Sequence, residues 1–206
     1  MHEDHGHPHP SHPDGDNTLS DYQRMEIAVR RLLIEKGVLS ADEIRSAVEA
    51  MDSRSPAQGA AVVARAWVDP AFKSRLLADG TAACRELGIE MGPTKLIVVE
   101  NLPQVHNLIV CTLCSCYPRM VLGLPPDWYK SKAYRARAVR EPRAVLAEFG
   151  TTLPDTVALR VHDSTADMRY LVLPARPSGT TGFGEAELAA LVTRDCMIGV
   201  ALPRLP

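Results

Sequence analysis

Apolar positions recur along this chain with two different periods, and the change comes near residue 95. Before it, Met25, Val29, Leu32 and Leu33 fall at helical spacing and Gly37 follows as a left-handed cap. Ser40-Ala41-Asp42-Glu43 reads as a capping box, with Leu39 and Ile44 as its hydrophobic staple, and Ile44, Val48 and Met51 continue that helix's stripe. Ser55-Pro56 and Asp69-Pro70 each pair an N-cap residue with proline at the first helical position, and Gly88 closes the last of these helices. The pattern predicts a helical arm over residues 18–94. Its apolar stripes suit either a partner subunit or the chain's own core.

From Lys95 the period shortens. Leu96-Ile97-Val98-Val99 and Leu108-Ile109-Val110 are short β-prone runs, and the second leads directly into Cys111. Val157, Leu159 and Val161 alternate with polar residues, as do Met168, Tyr170 and Val172; residues 163–167 between them read as a hairpin connection. Residues 142–149 predict a helix stopped by Gly150, and 185–194 predict another. Helices flank strands in no regular alternation, which predicts an α+β domain over 95–206.

Composition adds bounds. At 206 residues the chain can bury a core as one main domain with an extension. A formal net charge of -2 gives no electrostatic footprint for nucleic acid or an anionic membrane. No apolar run reaches membrane-spanning length, and the N-terminus carries histidines and acids where a signal peptide needs an apolar stretch. The expectation is a cytoplasmic protein with reduced thiols. Residues 1–17 hold five of the seven histidines among Pro, Gly, Asp and Ser, which predicts a disordered tail, either plainly solvated or loosely capturing divalent metal.

The chemistry concentrates in Cys111-Thr112-Leu113-Cys114-Ser115-Cys116, which holds three of the five cysteines. Structural zinc sites space paired cysteines two to four residues apart and draw the others from elsewhere. One residue separates Cys114 from Cys116, so two sulfurs on one ion force the intervening backbone nitrogens close to it. Deprotonated amides of Ser115 and Cys116 would complete three sulfurs and two nitrogens with a sixth position open. That field suits a six-coordinate transition metal. A zinc knot with a distant fourth ligand and a Cys111–Cys114 redox dithiol stay open beside it. Cys84 and Cys196 read as small core hydrophobes, and His106 and His162 as structural or surface residues.

The hexapeptide resembles the metal-binding signature of the nitrile hydratase α subunit, and Thr112 resembles the cobalt type. The likeness runs over roughly residues 20–202: Ala66-Trp67-Val68-Asp69-Pro70, Leu77-Ala78-Asp79-Gly80, Val99-Glu100-Asn101, Val105-His106, Leu122-Gly123-Leu124-Pro125-Pro126-Asp127-Trp128-Tyr129, Arg140-Glu141-Pro142-Arg143, Met168-Arg169-Tyr170, Leu173-Pro174, Arg176-Pro177 and Leu191-Val192-Thr193-Arg194. Arg119 after Tyr117-Pro118, together with the His-rich start, is similar to the three-subunit branch, which holds toyocamycin nitrile hydratase and thiocyanate hydrolase. The run at 122–126 looks more like the nitrile-hydrating members.

The resemblance implies a layered αββα domain following a helical arm. It implies trivalent cobalt on Cys111, Cys114, Ser115 and Cys116, with Cys111 a plain thiolate, Cys114 a sulfinic acid and Cys116 a sulfenic acid. Ser115 would ligate through its backbone nitrogen and orient a water through its hydroxyl, Cys116 would act as nucleophile on a nitrile, and Arg119 would line the substrate pocket or bridge to a partner. Glu100, Arg140 and Arg143 would hold the loop or an interface. The implied partners are a β-type subunit, whole or split into two chains, and a cobalt-loading activator protein. A non-catalytic metal-binding or metal-delivery protein is the reading from another class.

Overall fold

The computed structural model describes residues 19–205. The histidine-rich segment 1–17, with its expected disorder and metal capture, lies outside the described residues. The chain divides into two compact units after Val48.

The first unit is built on α1 (Asp21–Glu35) and the start of α2 (Ala41–Asp52). Ser20 caps α1 in a box with Gln23, a cap that the sequence reading passed over. The expected box at α2 is present: Glu43 accepts from the Ser40 N–H at 2.7 Å and the Glu43 N–H donates to Ser40 Oγ at 3.1 Å. Gly37 follows α1 at φ +65°, as its cap position demands. Neither helix buries a residue.

The second unit holds the core. Ser55 and Asp69 cap α3 (Pro56–Val68) and α4 (Pro70–Ala78) with proline in the first turn, as expected, and α5 (Gly80–Glu86) follows. Next come β1 (Lys95–Glu100) and β2 (Val105–Val110), then α6 (Arg119–Leu122), α7 (Asp127–Lys130), α8 (Lys132–Arg140) and α9 (Pro142–Glu148). The chain closes with β3 (Ala158–Asp163), β4 (Met168–Leu173), α10 (Glu185–Ala190) and α11 (Arg194–Ile198). Helices α4 and α5 pack on β1, α8 and α11 on β2, and α9 on β3. β2 is buried along nearly its whole length, which suits a strand with helices over both faces.

Two expectations are corrected. Residues 163–167 do not make a hairpin. β3 pairs in parallel with β2 and β4 in parallel with β1, so the segment carries the chain from one strand pair to the other. Alternation sets which face a strand buries, whereas the partner is set by packing between distant segments. Residues 185–194 are not one helix: the chain breaks after α10, and Thr193 accepts from the Cys196 N–H to start α11 afresh. A threonine hydroxyl competing for a backbone N–H favours a cap over a helix interior.

A buried polar chain ties the strands together. His106 Nε2 donates to the Gly199 carbonyl at 2.7 Å, so His106 Nδ1 accepts from Asn101 Nδ2 at 3.1 Å. Asn101 Oδ1 accepts from the Asn107 backbone and side chain, and Asn107 Oδ1 accepts from His162 Nε2 at 2.8 Å. Both histidines are thus structural, as expected. Burial lowers the pKa of each below the ordinary 6.5, with the Arg160 charge adding to the effect at His162. The unfolded chain therefore takes up protons near 6.5 that the folded chain refuses. Stability is full above that value and declines as pH falls through the folded pKa values. Denaturant titrations between pH 7.5 and 5 should show this decline, and His106→Gln should flatten it by roughly one proton's slope. An unchanged slope in the variant would assign the titration to other groups.

Candidate metal centre

The loop of interest begins where β2 ends. Cys111 is buried at the strand terminus, Cys116 is half-buried and Cys114 is exposed. The three Sγ atoms lie within 4.8 Å of one another, with Cys111–Cys114 at 3.4 Å and Cys114–Cys116 at 3.3 Å. None of them is in a disulfide.

Four residues from outside hold this turn. The parallel register sets Val110 opposite Asp163, and that carboxylate accepts from the Thr112 N–H at 2.9 Å and from its hydroxyl at 2.5 Å. The Ser164 N–H donates to the Val110 carbonyl at 2.8 Å. The Tyr129 hydroxyl donates to the Cys116 carbonyl, and Arg135 Nη1 to the Cys114 carbonyl, each at 2.9 Å. Beneath lies an aromatic floor in which Tyr117 meets Tyr129 edge-on at 5.0 Å and Trp128 meets Tyr134 at 4.9 Å.

The electrostatics fit a cation. Hydrogen bonds from the Cys116 and Cys111 thiols, helped by the Cys116 and Ser115 backbone N–H groups, bring the Cys114 thiol down to about 7. Burial, then the hydrogen bond shared with Cys114, pushes Cys116 up to about 12. One thiolate forms readily, and further ionisation is resisted unless positive charge arrives between the sulfurs. The Ser115 and Cys116 N–H groups are directed at the Cys114 sulfur. The three sulfurs form a soft donor set, which suits a transition metal better than magnesium or calcium.

Cys114, Ser115 and Cys116 open onto a cavity of about 490 Å³, lined also by Arg119, Met120 and Arg169. Arg119 thus faces the same space as the cysteines. Glu100 instead pairs with Lys73, and Arg143 donates to the carbonyls of Leu153, Pro154 and Val157. Arg140 lies away from that cavity, along a shallow groove with Thr112, Leu113 and Lys132. Cys84 and Cys196 are buried, as expected of core residues. The sequence reading missed Asp163, Tyr129 and Arg135 as supports of the loop. Asp163 arrives by the strand register, Tyr129 on α7 and Arg135 on α8, so no spacing rule would have found them; Tyr129 and Arg169 stood among the matched residues without a role.

Comparison with known proteins agrees with this geometry. The profile of the family described as nitrile hydratase, alpha chain, matches residues 20–201. The low-molecular weight cobalt-containing nitrile hydratase subunit alpha of Rhodococcus rhodochrous is 55% identical over 181 residues, 87% of each chain. The thiocyanate hydrolase subunit gamma of Thiobacillus thioparus is 46% identical over 198 residues, 90% of this chain and 82% of its own. Among solved structures, a recombinant thiocyanate hydrolase comprising partially-modified cobalt centers superposes with a TM-score of 0.85 at 45% identity, over 91% of this chain and 92% of that one.

Proposed function

The chain belongs to the nitrile hydratase alpha-chain family, and from that premise we propose that it is the metal-bearing subunit of a cobalt-dependent nitrile hydratase. The observation that carries this reading is the convergence of the Cys111, Cys114 and Cys116 sulfurs, with Cys114 and Cys116 lining a cavity large enough for a small organic substrate. Cys111, Cys114 and Cys116 hold the metal through sulfur, and Ser115 and Cys116 through backbone nitrogen. Cobalt(III) would supply a Lewis acid there.

The chain's own residues do the rest. Oxidation of Cys114 to the sulfinic and Cys116 to the sulfenic acid, with dioxygen as the oxidant and source of the added oxygens, draws charge off the sulfurs and leaves oxygens facing the cavity. The Cys116 sulfenate oxygen adds to the nitrile carbon. A water oriented by the Ser115 hydroxyl then adds to that carbon, breaking its bond to the sulfenate oxygen, supplying the proton to nitrogen and leaving an imidic acid that tautomerises to the amide while the sulfenate is restored. Arg119 offers a guanidinium to the polar part of the substrate. A nucleoside nitrile such as toyocamycin has polar groups for that contact. The resemblance implies that hydrogen bonds to the oxygens on the two sulfurs come largely from a partner, which supports work alongside a β-type partner of one or two chains.

A second reading has its own support. Arg119 and Arg169 bring two guanidinium groups to one cavity, which favours an anion, and thiocyanate is the anion that the gamma-subunit relative is named for. The complex of the full chain with its partner chains should be assayed on an aliphatic nitrile, on toyocamycin and on thiocyanate. Amide formation from either nitrile, at least about a hundredfold faster than thiocyanate loss, bears out the hydratase reading, and the choice of nitrile names the substrate class. The reverse preference assigns the chain to thiocyanate hydrolysis. Zinc in place of cobalt, with no turnover, sinks both.

A further inference from the structure

We propose that Arg135 is the positioning residue that carries the compensating charge for the peptide ligand of the metal loop. The inference rests on metal binding at the cysteine cluster. Arg135 Nη1 donates at 2.9 Å to the Cys114 carbonyl. That oxygen belongs to the peptide whose nitrogen is Ser115's, the backbone ligand. A peptide bound through a nitrogen that has lost its proton is an anion, and amide resonance shares its charge between nitrogen and carbonyl oxygen. A guanidinium on that oxygen is a charge-assisted contact with the far end of the ligand itself.

The surroundings keep this cation available. Arg135 is half-buried on α8, a helix that carries Lys132, Arg137 and Arg140 and no acid. Arg137 is committed to Glu141 and Glu148. Arg135 appears in no ion pair among the described residues, and its buried Nε has no hydrogen-bond partner there. A half-buried guanidinium whose buried Nε has no partner, aimed at a neutral carbonyl, carries a cost that negative charge arriving there would offset. The remaining supports act differently: Asp163 and Tyr129 fix the ends of the loop, at Thr112 and at the Cys116 carbonyl.

The test uses the full-length chain from cells grown in limiting cobalt, as wild type, Arg135→Gln, Arg135→Lys and Arg140→Gln. Native mass reads cobalt per chain, visible absorption reads the sulfur-to-metal charge-transfer band, and melting of the metal-free chain reads the fold. Arg135→Gln should retain cobalt about 10- to 100-fold less well and shift the band. Arg135→Lys should stay near wild type, as should Arg140→Gln, which removes a charge from the groove beside Thr112 and Leu113 without touching the contact to the Cys114 carbonyl. Equal cobalt and an unmoved band in Arg135→Gln overturn the proposal. So does an equal loss in Gln and Lys variants that both fold, because the effect would then follow shape and not charge. If Arg135→Gln does not fold without metal, Arg135→Lys decides alone: wild-type loading supports the role, and poor loading in a folded chain overturns it. A wild-type chain that holds no cobalt removes the metal reading and this inference with it, an outcome distinct from a difference among variants.

Discussion

Cys111→Ala should leave the chain folded and cut cobalt retention about 100-fold, with turnover falling alongside. Cys111 is the buried anchor of the cluster, 1% exposed, directly after a strand whose residues are packed on both faces. Its sulfur lies 3.4 Å from Cys114 Sγ and accepts from the Cys114 N–H at 3.3 Å, so it organises the turn as well as offering a ligand. Apparent free energies of tight protein metal sites are about 10–16 kcal/mol. Spread over five donors, each accounts for roughly 2–3 kcal/mol, or a factor of about 100 in affinity. Cys84→Ala is the control. Cys84 is as buried as Cys111, and burial raises its thiol to about 12, so it stays a neutral small hydrophobe. Its removal should cost about 1 kcal/mol of stability and leave cobalt and turnover alone. Native mass and an amide-formation assay on the two variants check this. Full cobalt in Cys111→Ala would move the metal away from the cluster.

The contrast between these two cysteines shows what the sequence carries. Sequence spacing alone separates them: Cys111 has two thiols within five residues, whereas Cys84 sits among alanine and leucine. Caps and terminators were legible for the same local reason, since Ser40, Ser55 and Asp69 satisfy backbone groups two or three residues away. The strand pairing was not legible. That Val110 lies beside Asp163, fifty-three residues on, depends on how α9 and the loops around it return the chain. The hairpin expectation failed there, and Asp163 was missed as the clamp on Thr112 for the same cause. Arg135 is a case between. Its helix begins at the Ser131 cap, but only the rotation of α8 against β2 decides that Arg135 and not Arg137 faces the loop.

The largest loss of stability is expected far from the cysteines, at Gly199→Ala. Gly199 ends α11 at φ +93°, a conformation that costs a residue with a β-carbon about 1–2 kcal/mol. A β-carbon built there would fall 2.0 Å from the Asn107 carbonyl oxygen, a backbone atom of buried β2 that has no flexible end to swing aside. Relieving such an overlap in a packed core adds about 1–3 kcal/mol. The Gly199 carbonyl also accepts from His106, so any shift strains the buried polar chain, at about 1 kcal/mol for a hydrogen bond lost. The sum is about 3–6 kcal/mol against a typical total of 5–15. Gly150→Ala isolates the backbone contribution: its φ is +74° and nothing lies within 4 Å of a β-carbon there, so about 1–2 kcal/mol is expected. Denaturant unfolding of both variants reads the difference, and equal losses would mean that β2 yields to the added methyl. If β2 is as rigid as its burial implies, the displacement does not stop at Asn107. The strand runs only to Val110 before the metal loop begins, so the fraction of Gly199→Ala that does fold should also hold less cobalt than wild type. Gly150→Ala, which touches no strand that feeds the loop, should hold as much.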